Sequence, residues 1–252
     1  MTTKPPMKTA ATQFEIIETI VDLDGARVSE LAAELDRPDS TIHDYLRSLT
    51  ELGYLIQKGD EYHLSARFLE LGVRQRDKRE LYKQARPKVD DLAVKTGEHA
   101  SLMIEEHGRG VLLHTARGED AVQVDTHSGM RIRLHTTAPG KIVLTHLPEE
   151  RVSEIIDELG LPAMTKQTIT DKDALLESLE MIREQGYALD REERIEGMRA
   201  VAAPIFGRDN HVAGAISIYG PTSRIDNEAF TETLPKRLLR TANVIELNLN
   251  YS

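Results

Sequence analysis

Apolar residues recur at helical spacing up to Leu52, and beyond Gly53 they recur at the spacing of strands. Few small folds accommodate that switch so early in a chain. Residues Ala11 to Leu23 carry Phe14, Ile17, Ile20 and Val21 three or four positions apart, as one buried helix face requires. Asp24-Gly25 ends the run, and Val28 to Leu35 gives a second short helix burying Leu31, Ala32 and Leu35. Pro38 drives the residue before it out of the helical region. Asp39 or Ser40 is then placed to cap a third helix, from about Ser40 to Leu52, whose inner face is Ile42, Leu46 and Leu49. Gly53 stops it. Tyr54 to Ile56 and Tyr62 to Leu64 follow as two short strands around a turn at residues 58–61. Two helices joined through a tight turn, with a hairpin behind them, describe a winged helix-turn-helix over residues 11–74, preceded by a flexible arm at 1–10.

The outer side of the third helix decides between a DNA reader and a protein-binding module. It carries Ser40, Thr41, His43, Asp44 and Arg47. Ser40, Thr41 and His43 offer hydrogen bonds near the helix start, although a cap or a solvated surface would use the same residues. Arg47 supplies a planar fork suited to a base edge or a phosphate, and Lys58 in the wing turn can grip the backbone. Asp44 cannot face phosphate; it can accept from cytosine N4, orient Arg47 or belong to an acidic surface.

The charge balance runs against DNA. The chain has a formal net charge of −10, and up to Arg74 it carries eight basic and thirteen acidic side chains. Counterion release normally makes such surfaces basic. A very salty cytoplasm removes that requirement, because released ions then yield little free energy and a hydrated acidic surface keeps the protein soluble. Twenty-one arginines against eleven lysines lean the same way. With no cysteine, disulfides, thiolate nucleophiles and Cys-ligated metals are excluded. No run of eighteen apolar residues suggests a membrane span, so the expected setting is the cytoplasm.

Residues 75–96 are charged and helix-prone, with an apolar seam interrupted by Pro87, and read as a helical linker. From Gly97 to the end, strands and helices alternate: a hairpin at 101–105 and 110–114, short strands at 122–125 and 132–134, helices at 140–145, 149–159 and 174–184, strands at 187–189, 200–205 and 212–219 around a turn at 207–210, and a closing amphipathic helix at 230–249. The whole is a two-domain α/β protein whose second domain, 97–252, is a mostly antiparallel sheet with packed helices. Its nine histidines fall in no metal-binding spacing, and no metal, cofactor or catalytic set is expected. Asp190, Glu192, Glu193 and Glu196 crowd one loop, which keeps a small-molecule enzyme open as the rival reading, beside a protein–protein adaptor. Gly140 can let a ligand approach the backbone, and Ser217 and Tyr219 share one strand face from which hydroxyls can enter a pocket.

These segments resemble the IclR family of transcriptional regulators. The likeness rests on VSELAAELDRPDSTIHDYLRSLTELGYL at 28–55 and YHLSARFLELG at 62–72. In the second domain it rests on LHTTAPGKIVLTHLP at 134–148, YALDREERIEGMRAVAAPIF at 187–206 and AGAISIYGPTSRI at 213–225. The resemblance implies a GAF-like sensor, a homodimer or dimer of dimers on a palindromic operator in double-stranded DNA, and a small carboxylate or sugar-derived effector. It places Ser40, Thr41, His43 and Arg47 at the DNA, and Ala138, Gly140, Asp190, Ala200, Ser217 and Tyr219 around the effector. Relatives often carry basic residues where Asp39 and Asp44 stand, Cys at Ala200 and Ser at Tyr219, so their ligands do not transfer. With the acidic charge, the likeness points to a halophilic archaeon.

Overall fold

A computed structural model describes residues 7–208 and 211–251, and the chain divides into two compact units between Gln75 and Arg76. In the first unit, helices α1 (Lys8–Asp22), α2 (Val28–Glu34) and α3 (Asp39–Glu51) precede strands β1 (Leu55–Lys58) and β2 (Glu61–Leu64). Helix α4 (Arg67–Asp77) runs across the division. Of the expected arm, residues 1–6 lie outside the described residues, and Lys8 to Ala10 already belong to α1.

Ile16, Ile17, Ile20, Leu31, Ile42, Leu46, Leu49, Leu55 and Tyr62 form the core of this unit. The buried stripe of α1 is therefore Thr12, Ile16 and Ile20 with Ile17, one turn apart along the helix, and it leaves Phe14 and Val21 exposed, contrary to their expected burial. Gly25 closes the unit locally: its φ is +115°, and a Cβ there would sit 2.2 Å from the His63 ring. That contact, with reciprocal backbone hydrogen bonds between Ala26 and Tyr62 (3.1 and 2.8 Å), ties the end of α1 to the hairpin. The expected side-chain cap of α3 is absent. Pro38 occupies the cap position, its carbonyl accepting from the N–H groups of Thr41 and Ile42, and Asp39 adds a favourable negative charge to the first turn.

In the second unit, α5 (Glu80–Thr96) is continuous through Pro87. The expected interruption does not occur because Pro87 and Lys83, whose carbonyl loses its helical donor, both face solvent, while Tyr82, Ala85, Val89, Leu92 and Ala93 bury the opposite side. Strands β3 (His99–Glu106), β4 (Arg109–Arg117), β5 (Arg131–Arg133), β6 (Ala188–Arg191), β7 (Met198–Phe206) and β8 (Val212–Pro221) form one antiparallel sheet among the described residues, in the order β5-β4-β3-β8-β7-β6. The expected turn at 207–210 includes residues 209 and 210, which lie outside the described residues.

Alternation along the strands sends side chains to two cores. Leu102, Ile104, Val201, Ile216 and Ile218 meet α5 and α9 (Leu234–Tyr251) on one face. Met103, Leu112, Ala200, Ala202 and Ala215 meet α6 (Ala138–His146), α7 (Glu149–Leu159) and α8 (Lys172–Gln185) on the other. The closing helix begins with a π-helical turn at Ala229–Thr233 before α9. One expected strand is missing: residues 122–125 are irregular, with the Val122 carbonyl accepting from His99 Nε2 (2.7 Å) instead of a neighbouring strand.

Candidate functional site

Helix α3 buries Ile42, Leu46 and Leu49 and leaves Ser40, His43, Asp44, Arg47 and Ser48 exposed on the opposite side, with Thr41 half-buried at its margin. At 100° per residue, Ser40, His43, Asp44 and Arg47 lie within about 100° of one another, a strip as wide as a groove can read. Ser40 makes no capping bond, so its hydroxyl is available to a partner. Arg47 Nε lies 3.6 Å from Glu51, not against Asp44, and both side chains are mostly exposed. Such an i,i+4 pair costs only about 0.5 kcal/mol to open. Ser48 donates back to the Asp44 carbonyl (2.8 Å). Lys58 is not in the turn but ends β1, opposite Glu61, and its side chain is exposed beside Gly59.

The second unit holds a cavity of about 60 Å³ between the sheet and the start of α6. The register builds its floor. Asp190, Ala200, Tyr219 and His99 form one rung across β6, β7, β8 and β3, and Ala188, Ala202, Ser217 and Ser101 form the rung two residues along. Ala200, in the middle of the first rung, leaves space that a larger side chain would fill. Ser101 and Ser217 share a buried hydrogen bond (2.7 Å). The Tyr219 ring stacks on His99 at 4.8 Å, its hydroxyl lies 3.0 Å from that of Thr126, and burial pushes its pKa up.

Asp190, Ala200, Ser217 and Tyr219 thus line one cavity, and Ala138 and Gly140 do not. A Cβ at Gly140 would lie 2.1 Å from the Leu134 carbonyl oxygen, and its N–H is capped by Thr137 Oγ1 (3.1 Å). Its small size serves close packing of α6 on the preceding 3₁₀ turn rather than ligand approach; Thr137 and Pro139 take the lining role instead. Sequence reasoning missed Ser101, Thr126 and Arg194 in the lining. Ser101 was legible once β3 was paired with β8, whereas Thr126 and Arg194 come from irregular segments.

Of the crowded carboxylates, only Asp190 and Glu193 are buried together. The Glu193 N–H donates to Asp190 Oδ1 (2.7 Å), and Lys141, also buried, donates to Glu193 Oε1 (2.5 Å) and the Leu189 carbonyl (2.9 Å). Burial, and then the Glu193 charge, push Asp190 up to about 7. Burial lowers the Arg194 pKa. Glu192 turns away to accept from the Gly197 N–H (2.8 Å), and Glu196 is exposed. Among the described residues no cluster of His, Asp or Glu side chains could hold a metal ion, and no helix is long and apolar enough to cross a membrane.

Comparison with known proteins agrees with this arrangement of two units. A family model described as the IclR helix-turn-helix domain matches residues 13–59, and one described as the bacterial transcriptional regulator IclR C-terminal domain matches residues 74–247. A probable HTH-type transcriptional regulator, ArcR, of Halobacterium salinarum is 38% identical over 239 residues, covering 93% of this chain and 91% of that protein. The HTH-type transcriptional regulator KdgR of Escherichia coli is 30% identical over 221 residues, 87% of this chain and 84% of that protein. The crystal structure of Thermotoga maritima IclR superposes with a TM-score of 0.80 at 29% identity, covering 97% of this chain and all of that one.

Proposed function

Since this chain belongs to the IclR family of transcriptional regulators, we propose that it reads its operator with the outer side of α3 and answers to a small molecule held in the cavity over β6, β7 and β8. It is a DNA-binding regulator, not an enzyme, with an effector-responsive C-terminal domain. The observation that carries the reading of α3 is its division into a fully apolar inner stripe and an outer strip of Ser40, His43 and Arg47. In our assignment α3 enters the major groove, Arg47 contacts a base edge or phosphate, Ser40, Thr41 and His43 contact the duplex near the helix start, and Lys58 touches the backbone from the wing.

Asp190, Ala200, Ser217 and Tyr219 are assigned to the effector, with Ser101, Thr126 and Arg194 added by their place in the lining. The sensor is GAF-like in this reading, and the effector is a small carboxylate or sugar-derived metabolite. We divide the chain functionally into a reader at 11–74 and a sensor at 97–252, joined by the helical segment 75–96, whose α5 packs on the sensor's sheet. A homodimer, or a dimer of dimers, sets two α3 helices on a palindromic operator about 34–36 Å apart. Effector binding shifts the populations of arrangements with different reader spacing.

The acidic surface fits a salt-rich archaeal cytoplasm, a setting supported by the net charge of −10 and the 38% identity with a Halobacterium protein. Selection of bound duplexes from host genomic DNA, with the full chain in molar KCl, tests the whole reading. Enrichment of one palindromic sequence is expected; recovery of unselected DNA would refute it.

A further inference from the structure

The cavity presents two charges of opposite sign whose hydrogen-bonding capacity is largely unspent. Asp190 is 6% exposed, and one of its oxygens accepts the Glu193 N–H. Among the described residues, the hydrogen bond found for Arg194 is to the Met130 sulfur at 3.6 Å, a weak acceptor for a half-buried guanidinium. The other charges around Asp190 are already committed. Lys141, on α6, gives its ammonium to Glu193 and the Leu189 carbonyl. Arg199, on β7, is held by the Ile225 carbonyl and Asn227 Oδ1, both at 3.1 Å. Tyr219, on β8, shares its hydroxyl with Thr126. Among the described residues Glu193 Oε2 has no hydrogen-bond partner. With both acids ionised, Asp190, Glu193, Lys141 and Arg194 balance, so a bound monoanion leaves one negative charge in excess.

We propose that the ligand of this cavity is a monoanion that enters together with one proton, taken from solvent and held on Asp190. The proposal rests on the reading of this cavity as the effector site. The anionic head pairs with the guanidinium of Arg194, and the ligand's apolar remainder lies on Met103, Leu112 and Ile132. Asp190 lines the same cavity as Arg194, which brings that head close to its carboxylate. Two like charges at such range in a low-dielectric site do not both persist, and one takes up a proton. The protonated carboxyl then becomes a donor to the ligand, where the ionised one would repel it. Burial and the neighbouring Glu193 already bring Asp190 close to neutrality, so the uptake is inexpensive in the physiological range.

The test is isothermal titration calorimetry of the full chain with propionate and with its uncharged analogue propionamide, between pH 6 and 8.5, in Tris and in HEPES. Their different ionisation enthalpies report protons exchanged. We expect about one proton taken up per propionate at pH 8, an affinity for propionate that falls about tenfold per pH unit above 7, and a flat profile for propionamide. Asp190→Asn keeps an oxygen for the Glu193 N–H and mimics the protonated acid, so it binds propionate without proton uptake at any pH. The carbon-13 resonance of the Asp190 carboxyl in the unaltered chain gives a readout independent of that variant: its titration midpoint rises when propionate is added. Propionate binding with no proton uptake, or an unmoved midpoint, overturns the coupling and leaves the effector site standing. Failure of both probes to bind either protein at every pH overturns the cavity assignment and the coupling with it.

Discussion

Replacing Asp190 with Asn removes a carboxylate that the folded chain holds at a cost. Its pKa rises from an ordinary 3.8 to about 7, chiefly through burial. A raised acid pKa means that the native state keeps a proton the unfolded chain releases. Stability from this group is therefore whole below pH 3.8, falls as pH rises, and is fully lost above about 7. The interval spans about three pH units, each worth about 1.4 kcal/mol, or about 4 kcal/mol in all. Because the unfolded chain is mostly ionised by pH 5, the part lost between pH 5 and pH 8 is about 3 kcal/mol. Asn at this position has no such dependence and retains the hydrogen bond from Glu193. Urea unfolding at fixed KCl, followed by circular dichroism at pH 5 and pH 8, should show the variant gaining about 3 kcal/mol on the parent over that range. Parallel pH profiles for the two proteins would refute the placement of Asp190 as a buried, proton-holding acid.

Arg47→Ala should weaken operator binding by about 1–3 kcal/mol in a gel-shift series. Relaxed preference at one base pair marks a base contact, a uniform loss marks a phosphate contact, and unchanged affinity removes Arg47 from the interface. Lys58→Gln should weaken binding equally across sequences and make the salt dependence shallower by about one ion; a sequence-dependent effect would contradict a backbone role. Gly140→Ala drives a methyl into the Leu134 backbone and should cost about 3 kcal/mol in urea unfolding, with a wild-type midpoint as the refuting result. Ser217→Ala leaves Ser101 without its buried partner and should lower effector affinity by calorimetry, whereas unaltered affinity would exclude that rung from the site.

Much of the architecture was legible because apolar period and turn residues agree with burial. The inner stripe of α3, the hairpin after Gly53 and the strands carrying Ser217 and Tyr219 follow from spacing alone. Sequence and structure part where two stripes compete or where the tertiary setting prevails. In α1, Phe14 and Val21 share a valid helical spacing with Ile17, but the Thr12, Ile16 and Ile20 stripe is the one that finds α2 and α3. In α5, packing on the sheet and a solvent-facing Lys83 outweigh Pro87. Residues 122–125 have strand-like composition, but among the described residues they pair with no strand. Two rungs of β6, β7, β8 and β3 brought the distant Asp190, Ala200, Ser217 and Tyr219 together, and register of that kind is not written in local composition. At Gly140, a glycine needed for helix packing and one needed for a ligand look alike in sequence.

The absence of cysteine from this chain permits a direct test of the placement of α3 in duplex DNA. His43→Cys supplies a single thiol for an iron–EDTA label, and exposed Lys166→Cys, in the other unit, gives the control. On the selected operator in molar KCl, cleavage from position 43 should fall in two short tracts about one helical turn apart, and the control should leave those tracts intact. Cleavage from position 43 that is no stronger or more localised than from position 166 would contradict the placement of α3 in the major groove.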